Sequence, residues 1–143
     1  MNYLWLIFAL LSAVTASLVS IFGKIGLQSV DANTATTVRS IIMAVFLVGV
    51  VSFQGKIGKI PELISNKKLL LFITLSGVAG ALSWLFYFLA LKYGTVGKVA
   101  PIDKLSVVIS VILSIIILGE EVNKGIIAGI VLITIGVIII ALS

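Results

Sequence analysis

Asp103 and Lys104 stand side by side inside an otherwise apolar run, residues 99–118. Ionisable side chains are expensive in such surroundings, so they mark either a functional site or a structural ion pair. Asp103, Ser106, Ser110 and Ser114 follow helical spacing and would share one face of a helix. A carboxylate on a serine-lined stripe can bind a solute or carry a proton from an aqueous cavity. Against this stand two simpler readings of Asp103, a structural pair with Lys104 or loop-like solvation. Lys104 falls about 100° round the same helix, beside Val107, Val108 and Val111, where it snorkels or pairs elsewhere. Arg39 lies about one turn inside a second apolar run, residues 36–53. It either snorkels or clamps an anion or a backbone carbonyl. Trp84, Tyr87 and Phe88 in a third run can line a pocket, or simply pack. Asp103, Ser106, Ser110, Arg39, Lys104, Trp84 and Tyr87 are therefore the candidate substrate- or proton-binding residues.

Composition excludes much other chemistry. The chain of 143 residues has no cysteine and no histidine, which removes thiol nucleophiles, disulfides, iron–sulfur clusters and the usual zinc sites. The commonest general base near neutral pH is missing too. With no paired intramembrane carboxylates either, no catalytic residue, metal site or cofactor is expected, and the chain is not expected to be an enzyme. The net charge is +5. Its basic residues are scattered along the connecting links rather than gathered on one face, so nucleic acid is not an expected partner.

The elements that must position these residues are five long apolar runs, 3–22, 36–53, 69–91, 99–118 and 125–142. Each has about the length needed to cross a hydrocarbon core of ~30 Å as a helix. The chain is 61% hydrophobic and 10% charged, with a mean hydropathy of +1.34. A soluble domain carries about 25% charged residues. Continuous apolar runs exclude a membrane barrel, whose strands alternate apolar and polar residues. The expected fold is thus an all-α integral membrane protein of five transmembrane helices, one domain over residues 1–143, with the two chain ends on opposite sides. The first run lacks a basic flank and a cleavage site, and is expected to be a retained helix rather than a signal peptide.

The links are short, which makes sequential helices antiparallel neighbours. Asn33 or Thr34 is the expected N-cap of the second helix, and Glu120 that of the fifth. Pro101 favours a first-turn position, which would start the fourth helix near Ala100. Small residues let helices approach in lipid. Gly125, Gly129 and Gly136 provide such a face on the last helix, Gly80 belongs to another on the third, and Ala9, Ala13, Ala16, Ser20 and Gly23 line a stripe on the first.

With the helices placed, the pattern resembles one repeat of the EamA family within the drug/metabolite transporter superfamily, over essentially the whole chain. The resemblance is strongest from Ser83-Trp84-Leu85-Phe86-Tyr87-Phe88 through Ala90-Leu91-Lys92-Tyr93-Gly94 to Leu118-Gly119-Glu120-Glu121. The glycine-spaced last helix and Arg39 early in the second fit the same pattern. The segment from Val99 to Val108 is similar to that of short, single-repeat members. There is one departure: many longer members carry a proline at the position of Val107, whereas this chain has Pro101 instead.

Longer members consist of two five-helix halves of inverted topology, so the resemblance implies that this chain is one half. Inverted repeats place the solute near the midplane at the repeat interface. The implied function is a secondary transporter or exporter of small metabolites or drug-like solutes, multi-pass in the cell (inner) membrane and working as a homodimer. The alternative is a non-transporting partner subunit or assembly factor of a lipid-modification or efflux complex. Small multidrug-resistance relatives use a glutamate in the first helix; here that helix has no carboxylate.

Orientation follows the lysines and arginines near helix ends. Lys56, Lys59, Lys67, Lys68 and Lys124 fall on the N-terminal side, and Lys24, Arg39, Lys92 and Lys98 on the other. The near balance permits insertion both ways, which favours antiparallel pairing over a parallel dimer or a different partner chain. Discounting Lys24 and Arg39 as buried would instead hold the N-terminus in the cytoplasm.

Overall fold

The computed structural model describes residues 3–143. These residues are helical almost throughout, and no strand occurs among them. The helices are α1 (Leu4–Gly26), α2 (Ala32–Phe53), α3 (Ile60–Ser65), α4 (Lys67–Tyr93), α5 (Val96–Asp103), α6 (Leu105–Leu113) and α7 (Lys124–Leu142). A 3-10 turn (Ile57–Lys59) precedes α3, and a π-helical turn (Ser114–Leu118) continues α6.

Five segments are long and apolar enough to cross a membrane: α1, α2, α4, Val96–Leu118 and α7. The shortest, α7, has 19 residues and is therefore ~28 Å long at 1.5 Å per residue. Few side chains are buried. Among the described residues Leu27, Ala32, Phe88, Leu91 and Val137 are the buried apolar ones, and Ser20 and Thr36 the buried polar ones. Most of the remaining leucine, isoleucine, valine and phenylalanine faces outward. In water this would be untenable. In a bilayer, acyl chains solvate such surfaces while each helix satisfies its own backbone.

Several helix ends differ from expectation for local reasons. The N-cap of α2 is Asp31, not Asn33 or Thr34; its carboxylate accepts from the Thr34 backbone N–H at 2.9 Å and from the Thr34 hydroxyl at 3.1 Å. Asn123 caps α7 by accepting from the Ile126 N–H at 2.9 Å, so Glu120 has no capping role there. Two glycines end helices in the left-handed conformation, Gly55 at φ 67° and Gly119 at φ 68°. At Gly55, N–H groups of Gly55 and Lys56 return to the carbonyls of Ser52 and Val51 at 2.9 and 3.0 Å, which satisfies the free carbonyl end of α2. The second link contains α3, with Pro61 in its first turn where no N–H is needed.

The fourth span is not the single helix expected over 99–118. It starts earlier, at Val96, so Pro101 lies in the interior of α5 rather than in its first turn. Proline there deprives the Gly97 carbonyl of its usual partner. The helix tightens at its end, with the Lys104 N–H reaching back only to the Pro101 carbonyl at 3.0 Å. It resumes as α6 and widens into the π turn before Gly119.

The chain divides into two compact units. One is Phe22–Lys92; the other joins the chain up to Ile21 with Tyr93–Ser143. In the second, α7 packs against both α5 and α6. In the first, α4 receives side chains from the end of α1 and from α2.

Candidate functional site

The clearest cluster of polar and aromatic groups lies in the unit Phe22–Lys92. It begins at Gly23. A Cβ there would sit 3.1 Å from the Phe88 ring and 3.7 Å from a Leu91 methyl. Hydrogen in place of a side chain lets Phe88 and Leu91 of α4 reach the α1 backbone, where they are 3% and 0% exposed. The next residue, Lys24, donates from its ammonium to the Leu91 carbonyl. That carbonyl belongs to the last turn of α4, where no helical N–H follows to satisfy it, and a cation there also complements the helix dipole. Lys92 reaches the other way and donates to the Val30 carbonyl at 3.2 Å. Asp31, beside Val30, is held below the ordinary carboxylate pKa, chiefly by the Thr34 N–H and hydroxyl, with Lys92 adding attraction.

Arg39 lies seven residues into α2 after Ala32, about two turns rather than one. Its guanidinium carbon is 3.7 Å from the centroid of the Trp84 ring and 5.3 Å from that of Phe88. Trp84, Tyr87 and Phe88 share one face of α4 through their helical spacing. Trp84 and Tyr87 meet edge to face at 5.6 Å, and Phe88 lies 5.8 Å from Trp84 and 6.2 Å from Tyr87. The negative ring faces attract the guanidinium. Among the described residues no carboxylate comes within 4.0 Å of it. A half-buried cation with an aromatic floor can take an anion, or the polar head of an amphiphile, along its N–H edge.

Asp103 and Lys104 lie in the other unit and pair with each other at 3.5 Å, with side chains 36% and 56% exposed. Asp103 ends α5, whereas Ser106 and Ser110 belong to α6 and Ser114 opens the π turn. The continuous stripe expected from spacing is therefore interrupted at Lys104. Ser106 and Ser110 are exposed; Ser114 is half-buried and donates its hydroxyl to the Val111 carbonyl at 3.0 Å. Thus Arg39, Trp84 and Tyr87 come together in one unit, while Asp103, Lys104, Ser106 and Ser110 belong to the other.

The expected glycine contacts are not made within one chain. A Cβ at Gly80, Gly129 or Gly136 would meet nothing within 4 Å, and one at Gly125 would meet only the capping oxygen of Asn123. Sequence reasoning left Gly23, Lys24 and Lys92 outside the candidate site, and named Phe88 as pocket-lining or packing without including it among the binding candidates. Gly23 lay on the small-residue stripe and Phe88 one turn from Trp84, which were usable signals. The two lysine-to-carbonyl bonds had none, since they pair residues far apart in the chain. Among the described residues no three carboxylates converge as a metal ion requires.

The model of the EamA-like transporter family matches residues 3–142. A protein of Sinorhizobium sp, described as "Uncharacterized transporter in cobO 3'region", is 36% identical over 141 residues, which cover 99% of each chain. No solved structure matches. With five apolar spans and a family match that runs across both units, this multi-pass membrane chain belongs to the EamA-like transporter family.

Proposed function

We propose that this chain is a secondary transporter of small metabolites or drug-like solutes in the cell membrane, the inner one where there are two, acting as a dimer of five-helix units. The observation that carries the reading is the family match over residues 3–142. A relative of the same extent that also bears a transporter name supports it. The sequence has no glycine-rich nucleotide loop, so the energy comes from a solute or proton gradient rather than from ATP. A dimer would supply the second wall of the site, because transporters built from repeats bind their solute between two of them. Within each chain, Arg39 with Trp84 and Tyr87 is the candidate solute site. Asp103, at the break in the fourth span, is the candidate proton carrier.

The test is flux by the purified chain alone in proteoliposomes, screened with amino acids, nucleosides, sugars, organic anions and organic cations. Saturable counterflow of one class supports transport. Silence toward all of them, with flux restored only by a second protein, overturns it in favour of a partner subunit.

A further inference from the structure

Arg39 is an intramembrane cation whose protein neighbours are rings. It lies two turns into α2 and is half-buried. Trp84 covers it at 3.7 Å and Phe88 flanks it at 5.3 Å. Ring faces attract the charge but do not accept its edge N–H bonds in the directions of the guanidinium fork. The nearby charges do not neutralise it. Lys24 and Lys92 are cations committed to the Leu91 and Val30 carbonyls. Asp31 is engaged by Thr34. Three cations against one carboxylate leave this end of the unit electropositive.

The geometry points to an oxyanion site: the N–H fork of Arg39 takes a carboxylate or phosphate, and Trp84 and Tyr87, both half-buried, receive the apolar body attached to it. This deepens the transport reading and rests on it, naming amphiphilic organic anions as the substrate class. A planar fork over an aromatic ring suits two parallel bonds to one carboxylate or phosphate, which a lysine cannot make. The phosphate of a lipid headgroup offers the same chemistry, so the test must separate dissolved from lipid anions.

The chain has two tryptophans, so Trp5→Phe in the full-length protein leaves Trp84 as the sole indole reporter. In phosphatidylcholine nanodiscs, benzoate and phenyl phosphate are titrated against benzyltrimethylammonium, which has a similar ring and the opposite charge. A saturable change in Trp84 emission with both anions, and none with the cation, is expected. Arg39→Gln should abolish it. Arg39→Lys, which keeps the charge, should weaken it by about tenfold or more through loss of the bidentate fork. An equal response to the cation, no response to either anion, or undiminished affinity in Arg39→Lys overturns the proposal. The lysine variant decides even if the glutamine variant fails to fold. Nanodiscs containing phosphatidylglycerol separate the sources. Unchanged benzoate saturation assigns the site to dissolved anions; a signal set by the lipid itself, which benzoate does not displace, assigns it to headgroups. Flux of a neutral or cationic solute without anion binding removes this proposal and leaves transport standing. Anion binding without any flux does the reverse.

Discussion

Asp103 and Asp31 show how differently two carboxylates can be placed in one small chain. Asp103 pairs with its own neighbour, Lys104, at the interruption of the fourth span. If it carries the coupled proton, Asp103→Asn will leave the protein folded but abolish flux or its dependence on a pH gradient. Unchanged flux and pH response in liposomes would exclude that role. Loss of folding would point to the structural pair, because removing one partner strands the other charge. Asp31, by contrast, is an exposed cap whose folded pKa is depressed by Thr34. A depressed carboxylate contributes stability above its unfolded pKa of about 3.9 and loses it as pH falls through the folded value. Asp31→Asn preserves a good cap without the charge. Thermal unfolding of the variant should match wild type near neutrality, and its loss of stability below about pH 4 should be shallower.

At the scale of the helix, glycine has unlike consequences at two positions. Gly23 faces the Phe88 ring at contact distance, whereas Gly129 faces open space within its own chain. Gly23→Val should destabilise the protein by about 1–3 kcal/mol through overpacking, read as a lowered melting temperature in detergent. Gly129→Leu should leave the monomer's melting temperature within the small range of a surface change, about 0.5 kcal/mol. If α7 forms the dimer contact, the same variant will elute as a monomer. The five spans were legible in the residues because length and hydropathy suffice in lipid. Their ends were not: Asp31 and Asn123 each won over a neighbouring polar residue by one turn geometry that composition does not reveal. Pro101 pointed the wrong way for a similar reason. Proline is compatible with a first turn, but Val96 to Ala100 already satisfied helical dihedrals, and α5 formed around the proline with a break after it. The stacking of Arg39 on Trp84 joins α2 to α4 across more than forty residues, a register between helices that periodicity within one helix cannot supply.

For the whole molecule, the depth of Arg39 bears on orientation. It is stacked two turns into α2, whereas Lys24 and Lys92 each lie in a last turn and donate to a backbone carbonyl. Setting Arg39 aside leaves five lysines against Lys24, Lys92 and Lys98, a bias from which we infer an N-terminus in the cytoplasm. On that inference antiparallel pairing has less support. Paired C-terminal reporters, one active only in the cytoplasm and one only outside, should give signal outside alone. Signal from both would restore dual insertion and the antiparallel dimer.

The crossed lysine bonds, Lys24 to Leu91 and Lys92 to Val30, span 67 and 62 residues. Neither can form until α4 has been synthesised, so the hairpin of α1 and α2 enters the bilayer well before the contacts that fasten its turn exist. Biogenesis is thereby given an order. The first two spans wait in lipid, held by their own hydropathy, and the arrival of the third closes both bonds at once. A chain truncated after Ser65 and released into the membrane should leave that turn open to protease, and one truncated after the fourth span should not.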